Sequence, residues 1–372
     1  MPRTSRAKPG ALPLPKDPKQ SAAIVGLHYV SCNSPGFQRK RAGKGFVYID
    51  CDGAVIRDHE VLRRIHSLVL PPAWDAVWIC PLAHGHLQAT GIDARGRRQY
   101  RYHPHYRKIR NHTKFHRMLD FADALPGIRT RVDRDLGLRG LPREKVIATV
   151  VRLLETTFIR VGNEEYAREN SSFGLTTLRD RHVRIEGSTI RFRFRGKSAQ
   201  MHDIALEDKR LARIVRECRD LPGYELFQYL DEYEELHSVD SADVNGYLHE
   251  VSGTDFSAKD FRTWAGTVQT ALFLGEIGPS ASETEAKRNI VAAIKQTAER
   301  LGNRPATCRN YYVHPAILEA YLDGSLLKLI PGAGEINSAD TPSRLYPEEN
   351  CVVKIIREKS PALIEALPVR AA

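Results

Sequence analysis

The chain has 372 residues, 42% of them apolar, enough to fill one large or two medium cores, and 56 Lys and Arg against 45 Asp and Glu leave a formal net charge of +11. That balance favours a polyanionic partner. No apolar run approaches the roughly 18 residues that span a bilayer, and the N-terminus lacks the apolar stretch of a secretory signal, so a cytoplasmic protein is expected.

Residues 1–22 carry five prolines and five Lys or Arg with little that could pack, which predicts a disordered basic tail. Residues 23–105 read as a β-rich N-terminal domain: short apolar runs at 46–48, 54–56, 76–80 and 87–90 are broken by Gly and Pro, with one short helix around 58–67. Residues 106–118, dense in Arg, Lys and His, are expected to form a basic hinge. From 119 to 372 the helical period dominates. Pro142 starts a helix whose apolar residues recur at three and four and which ends near Gly162. A strand meander follows at 182–186, 189–195 and 199–204, with turns at Gly187-Ser188 and Gly196-Lys197. Helices are predicted over 206–221, 241–251, 257–274 and 282–301. Ser257 with Asp260 and Ser282 with Glu285 have capping-box spacing, and Gly302 stops the last helix. The fold class is α+β, a small β-rich domain followed by a larger, mainly α domain.

The six cysteines are scattered without a CxxC pair and read as buried hydrophobes in a reducing compartment. No GxGxxG occurs, and Gly196-Lys197-Ser198 has Arg191 where a P-loop needs its first glycine, so no motif implies ATP. Taken singly, the candidate functional residues are unspecific. Arg160 reads as a cation closing an apolar helix, Lys197 as a solvated turn lysine, and Tyr311-Tyr312 as packing aromatics. Arg262 is less ordinary, because a cation in the first turns of the 257–274 helix opposes the helix dipole and asks for an anion.

In order along the chain, however, these segments resemble one family. The run Phe158 to Gly162, then Glu169-Asn170, Gly174-Leu175-Thr176-Thr177-Leu178, Gly196-Lys197, Lys259-Asp260-Phe261-Arg262-Thr263, and Ile294 to Glu299 leading to Asn303 and Tyr312 is similar to the type IB DNA topoisomerases of the poxvirus and bacterial kind. The resemblance implies a bilobed DNA clamp with a catalytic set of Arg160, Lys197, Arg262, Asn303 and Tyr312. Tyr312 rather than Tyr311 is implied because the family's tyrosine follows the His or Asn position by nine residues. Asn303 departs from the poxvirus histidine and agrees with bacterial members; an amide can donate a hydrogen bond but cannot act as acid or base.

The implied chemistry suits these residue types. Tyr312 attacks a phosphodiester, guanidinium forks meet the charge on the non-bridging oxygens, and Lys197, unlike an arginine, can release a proton to the leaving 5′ oxygen. A 3′-phosphotyrosyl link would keep the bond energy, so neither ATP nor metal is required, Mg²⁺ acting at most as a stimulant. Double-stranded DNA is the implied partner of a monomer located at the nucleoid. Between Arg95 and Arg117 stand nine cations and no carboxylate, interleaved with Tyr100, Tyr102 and Tyr106, a composition suited to phosphate contacts. The resemblance adds Gln99, Tyr100 and Tyr102 as groove contacts and Arg110, Lys114, Tyr166 and Lys259 as further DNA-contacting positions. His84 with His86 and His103 with His105 lack the third ligand a metal site needs; the second pair is expected to add to DNA contact. The nearest alternative is a tyrosine recombinase, against which stand Leu70-Pro71-Pro72-Ala73-Trp74 and Asn303. A non-catalytic basic DNA-binding protein is the alternative from another class.

Overall fold

In the computed structural model the described residues are 17–330 and 344–365, with the side chains of 111–116 and 360–365 outside the description. Packing divides the chain into two units, the first formed by residues up to His116 and the second by Arg117–Lys359.

Most of the expected tail, residues 1–16, lies outside the described residues, but the remainder corrects the expectation. Residues Pro18–Ile24 form α1, capped by the Asp17 carboxylate, which accepts the Lys19 N–H at 3.0 Å. Ala22 packs with Val25, Leu27, Tyr106 and Ile109. The proline and charge count concealed an ordinary helix start, an Asp cap followed by Pro at the first position and then apolar residues.

Five strands follow, β1 (Phe37–Ala42), β2 (Gly45–Ile49), β3 (Asp75–Ile79), β4 (Leu87–Ile92) and β5 (Arg98–Tyr102), in an antiparallel sheet of order β2-β1-β3-β4-β5. Helix α2 (His59–Ser67) starts at Asp58, whose carboxylate accepts the Glu60 and Val61 N–H groups. It buries Ile65 against Val77, Ile79 and Ala89. Residues 54–56, expected as a strand, give a single bridge between Ile49 and Val55. Conversely β1, Phe-Gln-Arg-Lys-Arg-Ala, is a strand that an apolar count misses, because most of its side chains face solvent.

The segment expected as a hinge, 106–118, is helical, part of α3, which runs over Pro104–Leu136, and the division between the units, at His116 and Arg117, falls inside it. Arg and Lys are good helix formers, and no residue between 106 and 118 interrupts the backbone ladder. In the second unit come α4 (Arg143–Thr157), α5 (Glu164–Asn170), and an antiparallel meander of β6 (Val183–Glu186), β7 (Thr189–Arg195) and β8 (Met201–Glu207). They are followed by α6 (Lys209–Arg219), a hairpin of β9 (Gln228–Leu230) and β10 (Leu236–Ser238), then α7 (Ser241–Ser252), α8 (Ala258–Ile277), α9 (Glu283–Arg300), α10 (Pro305–Tyr311), α11 (Pro315–Leu322) and α12 (Pro347–Glu365). Both predicted caps form, with a difference. Asp260 accepts from the Ser257 backbone N–H at 2.8 Å, whereas Glu285 reaches past Ser282 to the Ala281 N–H at 2.6 Å. None of the described helices is long and apolar enough to cross a membrane.

Helix α8 is the axis of the second unit, with α4, α7, α9 and α11 packed around it and most of its residues buried. A buried ion cluster fastens α12 to it. Arg129, 4% exposed, gives two 2.8 Å bonds to Glu349 and one of 2.6 Å to Glu155, while the Trp264 indole N–H of α8 donates to Glu349 at 2.8 Å. Burial opposes the Arg129 charge, but its two carboxylates more than offset this and raise its pKa. Removing one member of such a cluster strands the other's charge. Glu349→Ala is therefore expected to lower unfolding stability by about 3 kcal/mol in a urea titration; a loss below about 1 kcal/mol would show that α12 is held by apolar contacts alone.

Candidate active site

The site grows from the end of α4. Phe158 turns the chain out of the helix in the left-handed region, φ 56°. Arg160 therefore lies beyond the helix rather than closing it, which corrects the reading of a cation on the helix dipole. The segment carrying it is clamped by the Gly-Leu-Thr-Thr run: the Leu175 N–H donates to Arg160 O at 2.8 Å and the Thr176 N–H to Val161 O at 2.7 Å. Gly174 must lack a side chain here, since a Cβ would stand 2.6 Å from the Arg160 carbonyl oxygen.

Arg262 enters from the first turns of α8 and is only 4% exposed. Its guanidinium donates to the carbonyl oxygens of Phe158 and, at 2.7 Å, of Leu301. Arg160 donates to Gly302 O at 3.0 Å and to Asn303 Oδ1. These acceptors are neutral. No carboxylate is among the groups acting on either arginine; burial first, and for Arg262 the Arg160 charge next, lower both pKa values, with Tyr312 opposing. The anion that the sequence asked for at Arg262 is thus not supplied by a side chain among the described residues. Two buried donors, Arg262 Nε and Asn303 Nδ2, have no hydrogen-bond partner. Two positive charges and two orphan donors make a pocket of unmet demand for an anion.

Tyr312 caps α10 and sits against this group, its ring 5.5 Å from the Arg262 guanidinium carbon. Its backbone is held to α8 at one close approach. A Cβ on Gly266 would meet the Tyr312 carbonyl oxygen at 2.6 Å, and Thr267 Oγ1 donates to that oxygen at 3.1 Å while accepting the His314 N–H at 3.0 Å. Tyr311, by contrast, is 52% exposed.

Four of the five expected catalytic residues, Arg160, Arg262, Asn303 and Tyr312, therefore meet. Lys197 does not join them. It stands exposed on the turn between β7 and β8, with its Nζ 5.9 Å from the Tyr166 ring of α5. Lys259 is exposed in the first turn of α8.

In the first unit, Gln99 and Tyr100 stand on β5, Gln99 donating to Asp93 at 2.9 Å and the Tyr100 ring stacked 6.0 Å from Tyr102. Arg110 is exposed on α3, whereas the Lys114 side chain lies outside the described residues. His86 is buried in a stack with Tyr29, 4.2 Å away, and its Nδ1 accepts the Val30 N–H at 3.0 Å. His103 and His105 meet edge to face at 4.9 Å. Among the described residues the group with metal-ligand spacing is Asp231, Glu235 and His237 on the β9–β10 hairpin, a cluster that periodicity did not single out.

Sequence reasoning also missed His202. On β8 opposite Phe194, its ring stacks on that residue at 4.9 Å, and burial together with the charges of Arg160 and Arg262 lowers its pKa to about 4. The alternation of β8 marks 202 as an inward position, but nothing in the sequence says that it faces the arginines.

Comparison with known proteins gives the family. Residues 103–325 match the family model described as eukaryotic DNA topoisomerase I, catalytic core, and residues 45–93 match that of the bacterial DNA topoisomerase IB N-terminal domain. The DNA topoisomerase 1B of Acanthamoeba polyphaga mimivirus is 31% identical over 293 residues, covering 77% of this chain and 87% of the viral protein. That of Vaccinia virus (strain Copenhagen) is 27% identical over 250 residues, covering 65% and 74%. With two separate segments matched in their family order, and a relative aligned over most of its length, the chain belongs to the type IB DNA topoisomerases.

Proposed function

We propose that this topoisomerase relaxes duplex DNA by nicking one strand through Tyr312, letting the broken strand turn about the intact one, and resealing it. The observation that carries the reading is the buried Arg262 guanidinium beside the partly buried one of Arg160, neither with a carboxylate partner, next to a phenol and an orphan amide N–H. A backbone phosphate meets all of these demands at once. Its two non-bridging oxygens can accept from Arg160, Arg262 and Asn303 Nδ2, and these donors gain strength as charge builds on the oxygens during attack.

In the cleavage step the bond from Tyr312 Oη to phosphorus forms and the bond from phosphorus to the 5′ oxygen breaks. The phenol proton passes to solvent, and the Lys197 ammonium hands a proton to the departing oxygen. The 3′-phosphotyrosyl ester keeps the energy of the broken bond. Religation reverses each transfer: the 5′ hydroxyl attacks, the amine takes its proton back, and tyrosine leaves. Since one phosphodiester is exchanged for another, the cycle needs no ATP, and since guanidiniums carry the electrostatic load it needs no metal. The chain works on DNA as a monomer, with Gln99, Tyr100, Tyr102, Arg110, Lys114, Tyr166 and Lys259 as its contacts along the duplex.

Tyr312→Phe is expected to abolish the covalent complex with a nicked duplex while leaving DNA affinity within about twofold; persistent covalent capture at a 3′ end would assign the nucleophile elsewhere. Plasmid relaxation should continue in EDTA without ATP, and a strict Mg²⁺ requirement for cleavage would refute the metal-free scheme. Gly266→Ala puts a methyl against the Tyr312 carbonyl oxygen. It should slow single-turnover cleavage by about tenfold or more, since misplacing a reacting group by about 1 Å costs rate steeply. DNA affinity should hardly change, and an unaltered cleavage rate would show that the Tyr312 backbone tolerates displacement.

A further inference from the structure

His202 occupies a place that the reaction scheme does not use. Its ring lies between two glycines that each precede an expected site residue. A Cβ on Gly196, before Lys197, would fall 2.6 Å from its Cδ2 and Nε2; a Cβ on Gly302, before Asn303, would fall 2.2 Å from its Cε1. Gly302 has φ +58°, so its backbone alone favours glycine, but Gly196 has φ −96°, open to any residue, and the ring is what excludes a side chain there. One face of the ring stacks on Phe194 at 4.9 Å and 12°, which fixes its plane within the hairpin. The same Gly302 carbonyl accepts from Arg160 and the adjoining Leu301 carbonyl from Arg262. One ring thus touches both the turn that carries Lys197 and the strap on which the arginines are anchored.

We propose that His202 is a positioning residue: its ring sets the distance of the Lys197 turn from the Arg160–Asn303 strap, so that Lys197 meets the leaving 5′ oxygen when a phosphate is bound. This inference rests on the reading of Lys197 as the proton donor. His202 acts through Lys197 and does not carry the proton itself, because burial and the facing charges of Arg160 and Arg262 keep the imidazole neutral near pH 7.

The test compares two DNA duplexes, one with an ordinary scissile phosphodiester and one in which sulfur replaces the bridging 5′ oxygen. Sulfur leaves as a thiolate and needs no proton, so a defect confined to proton delivery disappears on the second duplex. His202→Ala is expected to cleave the ordinary duplex about ten- to a hundredfold more slowly than the unaltered protein, and the sulfur duplex within about threefold of it. Equal slowing on both duplexes, or none on the ordinary one, would overturn the proposal. Lys197→Ala is run alongside. If the sulfur duplex rescues Lys197→Ala but not His202→Ala, the proposal alone fails; if it rescues neither, the reading of Lys197 fails and the proposal with it. A double-mutant cycle supplies an independent readout. Gly196→Ala should be strongly deleterious with His202 present and much less so in the His202→Ala background, because the methyl then has room. Additive effects would mean that the ring does not confine residue 196, and would overturn the proposal too.

Discussion

Two guanidiniums, Arg262 buried and Arg160 partly so, stand beside one another and are tied to neutral oxygens, the carbonyls of Phe158, Leu301 and Gly302 and the side chains of Asn303 and Tyr312, and the site follows from that constraint. A carboxylate would have neutralised them at lower expense to the fold, but it would also have occupied the place of the substrate. Carbonyl dipoles fix where Arg160 and Arg262 point without cancelling their charge, so the field remains available to a phosphate. The arrangement is unfavourable in the free protein, since burial pushes both groups toward losing their protons, and binding an anion relieves it. Other parts of the unit supply compensating stability, among them the Arg129, Glu155 and Glu349 cluster, where carboxylates do meet a buried arginine. Arg129 and Arg262, equally buried in the same unit, differ in their partners alone: carboxylates meet the first and neutral groups the second, as the proposed role of Arg262 requires.

That geometry depends on backbone proximity more than on side-chain packing. Gly174 lets the 174–177 run lie against Arg160, Gly266 lets Tyr312 lie against α8, and Gly196 and Gly302 admit the His202 ring. At each point a main chain or a ring comes so near that one methyl would force it away. The rigid elements are therefore joined through glycines at the places where reacting groups must be held, which is where small displacements affect rate most.

How much of this could be read from the chain varies with the physical signal. Helices α7, α8 and α9 announce themselves through the three-and-four apolar period and their Ser or Asp caps, and the meander through alternation with glycine turns. β1 and α1 hide because their residues are charged or few, and their order comes from tertiary partners such as Tyr106 and Ile109 for α1. Charge density at 106–118 marks the stretch where the units divide but not its helical state, since Arg and Lys are compatible with a long helix. For the site, the blocks of family resemblance pick out Arg160, Arg262, Asn303 and Tyr312, and folding brings these four together. Composition could not disclose that the arginines lack carboxylates, nor that His202 and Gly266 confine their neighbours. Those are properties of distances between residues far apart in sequence.

On the proposed reading of Lys197 as the proton donor, its exposed position fits the same electrostatics. A guanidinium can be buried without a counterion and stay charged, because its proton is held too firmly to lose near neutral pH. An ammonium placed beside two such groups before any phosphate arrived would be driven to shed its proton, and would reach the transition state with nothing to donate. A proton donor in this site is better kept in water until the substrate's own charge offsets the arginines. The turn between β7 and β8 meets that requirement, holding Lys197 at the surface while its base, through Gly196 and the His202 ring, rests on Gly302. On the same reading, permanent charge is built into the interior, and the proposed proton donor is carried on a short lever attached to it.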